Sequence, residues 1–146
     1  MPLGRLPEPY CYTGHLIRRA QQRHNTLWRQ EVSKRVSSVQ YAALTTLQRS
    51  PGLSQIELGE PLDLDRSTIA DLVSRMVARG VVSREQDPGD RRRKLVHLTP
   101  MGVAEVNRLR PGVERVNRLL TASLADQETR QLKRILRLLL GAAGEG

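Results

Sequence analysis

The sequence predicts a mainly α-helical chain that carries one small β-hairpin, and three observations support this fold class. First, apolar residues recur at helical spacing in several segments of the 146-residue chain. Second, short β-prone runs flank a single Pro-Gly turn. Third, the length fits one domain of roughly 100–200 residues, and no apolar run approaches the roughly 18 residues of a membrane span.

The N-terminal third predicts an arm followed by two helices. Three prolines in the first dozen residues remove helix donors, so residues 1–12 are expected to form a flexible arm. A long amphipathic helix is predicted from Thr13 to about Glu31. The next helix, predicted over Val39–Arg49 with Ser38 as its cap, ends at a Ser-Pro-Gly stop signal.

Two short helices in the middle of the chain predict a helix-turn-helix. Ser54 and Glu57 have the spacing of a capping box, which starts a helix that ends near Leu62. Asp65 or Ser67 is expected to cap the following helix, which ends at a glycine. Two short helices joined by so brief a turn are typical of this motif.

A β-hairpin with a charged tip is predicted next. The β-prone runs at residues 81–82 and 95–98 flank the polar stretch 84–94, which contains Pro88-Gly89. Asp90 is expected to pair with an arginine and so to set the shape of the tip.

The C-terminal part predicts two further helices. Thr99 followed by Pro100 has the form of a cap and a first-turn proline, and opens a long helix that Pro111 is expected to kink. Asp126 is expected to cap the last helix, which is rich in leucine.

These elements predict a winged helix-turn-helix over residues 37–99. The helices in 13–36 and 100–140 carry more apolar side chains than a monomer of this size needs, so they are predicted to form a dimerisation domain in a symmetric homodimer. Residues 141–146 form a tail.

The net charge of +9 and the pI near 10.9 favour a polyanionic partner, with nucleic acid first. Aromatic residues make up only 3% of the chain, which argues against stacking platforms for single strands or RNA. The charge is uneven: residues 50–83 hold three basic and five acidic residues, whereas residues 84–100 hold five basic and three acidic. The predicted helix-turn-helix is therefore net acidic, and the positive charge next to it lies in the hairpin.

The start of the second helix of the motif holds the candidate base contacts, because this helix lies in the major groove. Arg66 can grip guanine, while Ser67 and Thr68 can serve bases or phosphates. Asp71 and Arg75 lie one and two turns further on. The alternatives are a plain helix cap for Ser67 and Thr68 and a solvated face for Arg75.

The hairpin tip holds the other candidate DNA contacts, Arg91, Arg92 and Arg93, followed by Lys94. Four consecutive cations repel one another, and phosphates or the negative potential of a narrow minor groove offset that repulsion. A solvated turn is the alternative.

Three stretches together resemble the multiple antibiotic resistance regulator (MarR) family: Leu-Asp-Arg-Ser-Thr at 64–68, Asp-Pro-Gly-Asp-Arg-Arg at 87–92 and Leu-Thr-Pro-Met-Gly at 98–102. The resemblance extends over about residues 13–140. It implies a homodimeric transcription factor that binds palindromic double-stranded operators and releases them on ligand binding or thiol oxidation. It also implies that the arginine matching Arg92 enters the minor groove.

The first helix offers a candidate site for an aromatic or phenolic carboxylate inducer, which needs a cation, a hydrogen-bonding group and an apolar wall. His24 and Trp28 lie one turn apart on its apolar face. Arg18 is the expected carboxylate anchor, with Arg19 as a reserve, and His24 is the expected partner of ring hydroxyls. The alternative is an ordinary core histidine beside a surface arginine.

Thiol oxidation is the other inducer chemistry that the resemblance implies. Cys11 lies between Tyr10 and Tyr12, which invites this interpretation. In redox-sensing members, however, the cysteine lies inside the first helix with a tyrosine one turn later, where this chain has His15.

No catalytic motif, cofactor-binding loop or metal-ligand cluster is recognisable, so we expect neither an enzyme nor a bound cofactor or metal. A single cysteine excludes an internal disulfide framework, and the expected location is the cytoplasm, with no membrane partner. Two other classes stay open: an architectural DNA-binding protein without a sensor site, and a helical dimerisation adaptor.

Overall fold

The computed structural model describes residues 6–141, in which six α-helices and one β-hairpin follow one another in the expected order. The predicted mainly α fold with a small β-wing is confirmed. The elements are α1 (Thr13–Glu31), α2 (Ser38–Arg49), α3 (Gln55–Gly59) with a following 3-10 turn (Glu60–Leu62), α4 (Arg66–Ala78), β1 (Val82–Asp87), β2 (Asp90–Leu98), α5 (Pro100–Leu120) and α6 (Asp126–Leu139).

Side-chain caps that the sequence predicts explain where three of these helices begin. The side chain of Ser54 accepts the backbone N–H of Glu57, and that of Asp65 accepts the N–H of Thr68. The side chain of Thr99 accepts the N–H of Gly102. Each cap satisfies one of the free donors at a helix start. These three residues therefore cap their helices as the sequence predicts. The other half of the predicted capping box is wrong: among the described residues, the Glu57 carboxylate contacts Arg93 and not the N–H of Ser54.

Two other predicted caps are wrong by one residue. Ser37, which has extended φ and ψ angles, caps α2 by accepting the N–H three residues on, whereas Ser38 is already helical. At α6 the cap position is Ala125 and Asp126 is the first helical residue. The N–H of Ala125 donates to the carboxylate of Glu128 at 2.9 Å, so an acidic side chain inside the helix replaces the expected cap.

The hairpin formed by β1 and β2 is the wing. The hydrophobic core lies between α2, α3, α4, the base of the wing and the first half of α5. Gly102 lets α5 approach the wing, because a Cβ there would lie 2.1 Å from the carbonyl oxygen of Val81. The largest fully buried side chains in this core are those of Leu44, Leu47, Leu58, Ile69, Val73, Met76, Val96 and Val106.

A close approach joins α1 to α5. A Cβ at Gly112 would lie 2.4 Å from the carbonyl oxygen of Glu31, so only glycine allows this contact. The helix α5 is continuous through Pro111, and the kink expected there stays a prediction. The crossing fixes the C-terminal end of α1 against the middle of α5.

Apolar side chains outside this core remain exposed. Leu16 and Ile17 of α1 are 49% and 43% exposed, and within the described chain α6 buries none of its residues. Ile135, Leu138 and Leu139 of α6 are all more than half exposed. These helices therefore present apolar surface that residues 6–141 of one copy do not cover.

Parts of the predicted arm and tail, residues 1–5 and 142–146, lie outside the described residues. Just before α1, the N–H of Tyr12 donates to the carbonyl of Pro9 at 3.1 Å and closes a turn. Among residues 6–141, no helix has the length and apolar character to cross a membrane, and no three His, Cys, Asp or Glu side chains form a group that could hold a metal ion.

Candidate functional site

The start of α4 presents three predicted DNA-contacting residues on the surface. Arg66, Ser67 and Thr68 are exposed, and Asp65 organises the turn that precedes them. The Asp65 carboxylate accepts the N–H of Thr68 at 2.8 Å and the Ser67 hydroxyl at 3.2 Å. The backbone N–H of Thr68 is the main cause that holds the pKa of Asp65 below its ordinary value.

Further along α4, Asp71 and Arg75 form an ion pair of 2.8 Å. Both side chains are about two-thirds exposed, so water weakens the attraction and the pair adds little stability. Its effect is to orient Arg75 along the exposed face of the helix, one turn past Asp71.

The wing tip is shaped by two aspartates whose carboxylates accept backbone N–H groups. The carboxylate of Asp87 accepts the N–H of Gly89 at 2.9 Å, and that of Asp90 accepts the N–H of Arg92 at 3.0 Å. The prediction that Asp90 pairs with an arginine side chain is wrong, because the turn leaves a main-chain donor within its reach. Asp90 nevertheless sets the local shape of the tip.

The four cations of the wing do not have equal surroundings. Arg93 contacts the carboxylate of Glu57 and lies 3.7 Å from that of Asp87. Among the described residues, no carboxylate lies within ion-pair distance of Arg91, Arg92 or Lys94.

A shallow recess of about 160 Å³ joins the wing to the helix-turn-helix. It places Arg66, at the start of α4, beside cations of β2, although 26 residues separate Arg66 from Arg92. Positive charge from both elements therefore converges on one surface. The lining residues are Ser54, Gln55, Ile56, Arg66, Ile69, Arg92, Arg93 and Lys94.

A second group of predicted residues packs between α1 and α2. The ring of Trp28 lies 5.8 Å from those of His24 and Tyr41, and its indole N–H donates to the carbonyl of Val36 at 2.7 Å. The Nδ1 atom of His24 is buried and, among the described residues, has no hydrogen-bond partner. An unsatisfied buried polar atom is costly, so this atom is suited to bind a polar group of a ligand.

Tyr41 of α2 is also part of this aromatic cluster, although the spacing within α1 does not predict it. A recess of about 300 Å³ lies beside Trp28 and brings three cations of α1 and the following connection, Arg29, Lys34 and Arg35, near its ring. The sequence signal for these cations is the charged pair Lys34-Arg35, which follows the first predicted helix. The recess is also lined by Asn25, Ser33, Val36, Ser37 and Ser38.

Arg18 and Arg19 lie elsewhere on α1. Together with Arg23 they line an open groove of about 810 Å³. Six residues separate Arg18 from His24, which places the two side chains about 120° apart around the helix. Within one described chain, Arg18 therefore does not line the recess that contains Trp28.

Cys11 is an exposed free thiol in the turn before α1. The neighbouring tyrosines have other partners. The Tyr12 hydroxyl donates to Glu8 at 2.6 Å, a hydrogen bond that raises the pKa of Tyr12, and the ring of Tyr10 packs edge-on against His15. Among the described residues, no contact of Tyr10 or Tyr12 favours activation of the thiol.

Comparison with known proteins agrees with this fold. The MarR family model matches residues 36–94. The repressor NicR of Pseudomonas putida is 34% identical over 136 residues, which cover 90% of this chain and 86% of NicR. The PcaV regulator of Streptomyces coelicolor, solved with its natural ligand, is 40% identical with a TM-score of 0.88, over 94% of this chain and 98% of PcaV. Bordetella bronchiseptica BpsR, solved to explain how 6-hydroxynicotinic acid regulates its DNA binding, is 30% identical with a TM-score of 0.80, over 86% of this chain and 96% of BpsR. The chain belongs to the MarR family of transcriptional regulators.

Proposed function

We propose that the protein is a repressor that binds palindromic double-stranded DNA as a homodimer and releases it when an aromatic or phenolic carboxylate binds. The observation that carries the DNA-binding part is the recess in which Arg66 of α4 meets the cations of the wing. A single DNA duplex can contact both elements, because the helix enters the major groove while the wing follows the adjacent backbone.

Each element has a distinct role in this proposal. Arg66, Ser67 and Thr68 contact base edges and phosphates in the major groove, with Arg75 held along the helix by Asp71. On the wing, Arg91 and Arg92 have no carboxylate partner among the described residues, and the negative potential of the minor groove attracts them. The proposal thus assigns sequence recognition mainly to α4 and affinity mainly to the wing.

A second copy of the chain covers the exposed apolar faces of α1 and α6 in this proposal. Burial of apolar surface stabilises association by roughly 25 cal/mol per Å² before the entropy cost of binding. A twofold dimer also places two α4 helices about one DNA turn apart, which a palindromic site requires. Sedimentation at micromolar concentration tests this step: we expect a dimer, and a monomer alone would contradict it.

The inducer site is proposed at α1, next to His24, Trp28 and Tyr41. The rings of Trp28 and Tyr41 supply an apolar wall, and the buried Nδ1 of His24 supplies a hydrogen-bonding atom. 6-Hydroxynicotinic acid, named for BpsR, is an aromatic carboxylate with a ring hydroxyl. Arg18 stays the proposed carboxylate anchor, with Arg19 as the reserve. Because Arg18 lines the neighbouring groove in one chain, its long side chain must turn towards His24 when the ligand binds.

A ligand at this place can release DNA because α1 and α2 meet there, between the dimerisation helices and the DNA-binding domain. Binding shifts the population towards arrangements in which the two α4 helices no longer match their half-sites. A hundredfold release needs a ligand that prefers the non-binding arrangement by about 2.7 kcal/mol.

The proposal is tested with a duplex of about 30 base pairs, long enough for two half-sites, that the protein selects from a random library. Aromatic carboxylates, with 6-hydroxynicotinate first, are screened for a rise in Tm and then for release of this duplex. Arg18→Ala should abolish release and leave DNA affinity unchanged. Gln22→Ala is the matched control, because Gln22 lines the same groove without a charge.

Three outcomes would change the proposal. Full induction in Arg18→Ala removes Arg18 from the site, and Arg35→Ala then tests the cations beside Trp28. Loss of induction in Cys11→Ser supports thiol sensing instead. A protein that covers every duplex uniformly, with a steep salt dependence, is an architectural DNA-binding protein rather than a regulator.

A further inference from the structure

One cation of the wing, Arg93, is held by carboxylates while its neighbours are not. Its guanidinium contacts Glu57 and lies 3.7 Å from Asp87, and the side chains of Arg93 and Glu57 are each less than half exposed. Arg91 and Arg92 have no such partner among residues 6–141. Arg93 is therefore the wing cation whose charge the protein itself neutralises.

The contact between Arg93 and Glu57 joins two elements that are 36 residues apart. The base of the hairpin is already attached to the helix-turn-helix, because the N–H of Val96 donates to the carbonyl of Leu53 at 2.9 Å. Beyond this point, in the part of the chain that the structure describes, Arg93 makes the only hydrogen bond or ion pair between residues 87–94 and the chain outside the hairpin.

A second contact supports the same surface nearer the base. The guanidinium of Arg84, on β1, donates to Gln55 of α3 and to Ser74 of α4, both at 3.3 Å. The lower part of the wing is thus attached to both helices of the motif, whereas the outer part is attached through Glu57.

We propose that Glu57 is a positioning residue for the wing: it holds Arg93 and so sets the direction in which Arg92 is presented to DNA. The inference rests on the proposed DNA binding and revises the expectation from the sequence that Arg93 contacts DNA, since Arg93 then acts as a brace. Asp87, which also supports the turn through the N–H of Gly89, completes the brace.

Salt dependence separates a brace from a DNA contact. Each cation that neutralises a phosphate releases counterions and contributes about 0.9 to the slope of log affinity against log salt. A cation that stays paired with Glu57 contributes nothing to this slope. An exposed ion pair shifts the equilibrium towards its paired geometry by a factor of about two to five. Loss of the contact between Arg93 and Glu57 should therefore weaken DNA binding by the same factor.

The experiment measures affinity for the selected duplex, and for the random duplex pool, between low and high salt. The variants are Glu57→Gln, Arg93→Ala and their combination, with Arg92→Ala as the matched control. We expect each single brace variant to bind about two- to fivefold more weakly with an unchanged slope. The combined variant should be no weaker than either single one, since both remove the same contact. Arg92→Ala should lower the slope by about 0.9.

The inference is overturned if Arg93→Ala lowers the slope as Arg92→Ala does, or if Glu57→Gln tightens binding. Either result means that Arg93 contacts phosphate and that Glu57 competes with it. If Glu57→Gln does not fold, the slope of Arg93→Ala alone decides between the two roles. Failure of the proposed function is distinguishable, because the wild-type protein would then either bind neither the selected duplex nor the pool, or bind both equally well.

Discussion

Replacing Gly112 with alanine should destabilise the protein, although alanine is the better helix former. The added Cβ would lie 2.4 Å from the carbonyl oxygen of Glu31, whereas ordinary contacts begin at 3.4 Å, so the backbone of α1 must move by about 1 Å. The same carbonyl accepts a hydrogen bond from Arg115 at 3.3 Å, and this bond is strained by the movement. The clash involves backbone that cannot rotate away.

The magnitude follows from two opposing terms. Overpacking costs about 3 kcal/mol at the upper end of its usual range, because backbone rather than a flexible side chain must shift. The higher helix propensity of alanine offsets about 1 kcal/mol. We therefore expect Gly112→Ala to lower the free energy of unfolding by about 2 kcal/mol, or the Tm by about 4–8 °C.

Urea unfolding followed by circular dichroism measures this effect at one fixed protein concentration, because the stability of a dimer depends on concentration. Gly14→Ala is the matched control: Gly14 lies in α1 with nothing within 4 Å of the added Cβ. The control should be neutral or more stable by up to about 1 kcal/mol. If Gly112→Ala proves as stable as the wild type, the close approach of α1 and α5 does not exist as described.

Two further predictions follow from single contacts. Trp28→Phe removes the indole N–H that donates to Val36, leaves a buried carbonyl unsatisfied and should lower the free energy of unfolding by about 1–3 kcal/mol; an unchanged urea midpoint would contradict this. The Thr68 N–H lowers the pKa of Asp65. The ionised cap therefore stabilises the protein at every pH above the ordinary pKa of a carboxyl group, and this stabilisation is lost as the pH falls through the lowered pKa of Asp65. Asp65→Asn keeps a cap without a titrating group, so the stability difference from the wild type should be largest at neutral pH and should narrow in acid; a constant difference in urea unfolding at pH 7 and pH 3 would refute the linkage.

Local signals were enough to predict most of the fold. Asp65 and Thr99 cap their helices as expected, since a cap needs only a short polar side chain and the free N–H groups that follow it. The same chemistry explains the one-residue error at α2, where Ser37 and Ser38 are both suitable caps. Only the backbone angles, extended at Ser37, decide between them.

The candidate sites were less predictable because they depend on contacts between distant parts of the chain. The spacing within α1 brought His24 and Trp28 together, but nothing within that helix indicates that Tyr41 of α2 packs against it. Likewise, the run of wing cations suggests four equivalent charges. The pairing of Arg93 with Glu57 exists only once the hairpin folds against α3.

A hydroxyl-radical footprint on the selected DNA shows whether α4 and the wing recognise a palindromic duplex. We expect two symmetric protected tracts whose centres lie about one DNA turn apart, and their loss when the aromatic carboxylate is added. Uniform protection along the duplex, or a footprint that the carboxylate leaves unchanged, would contradict the account.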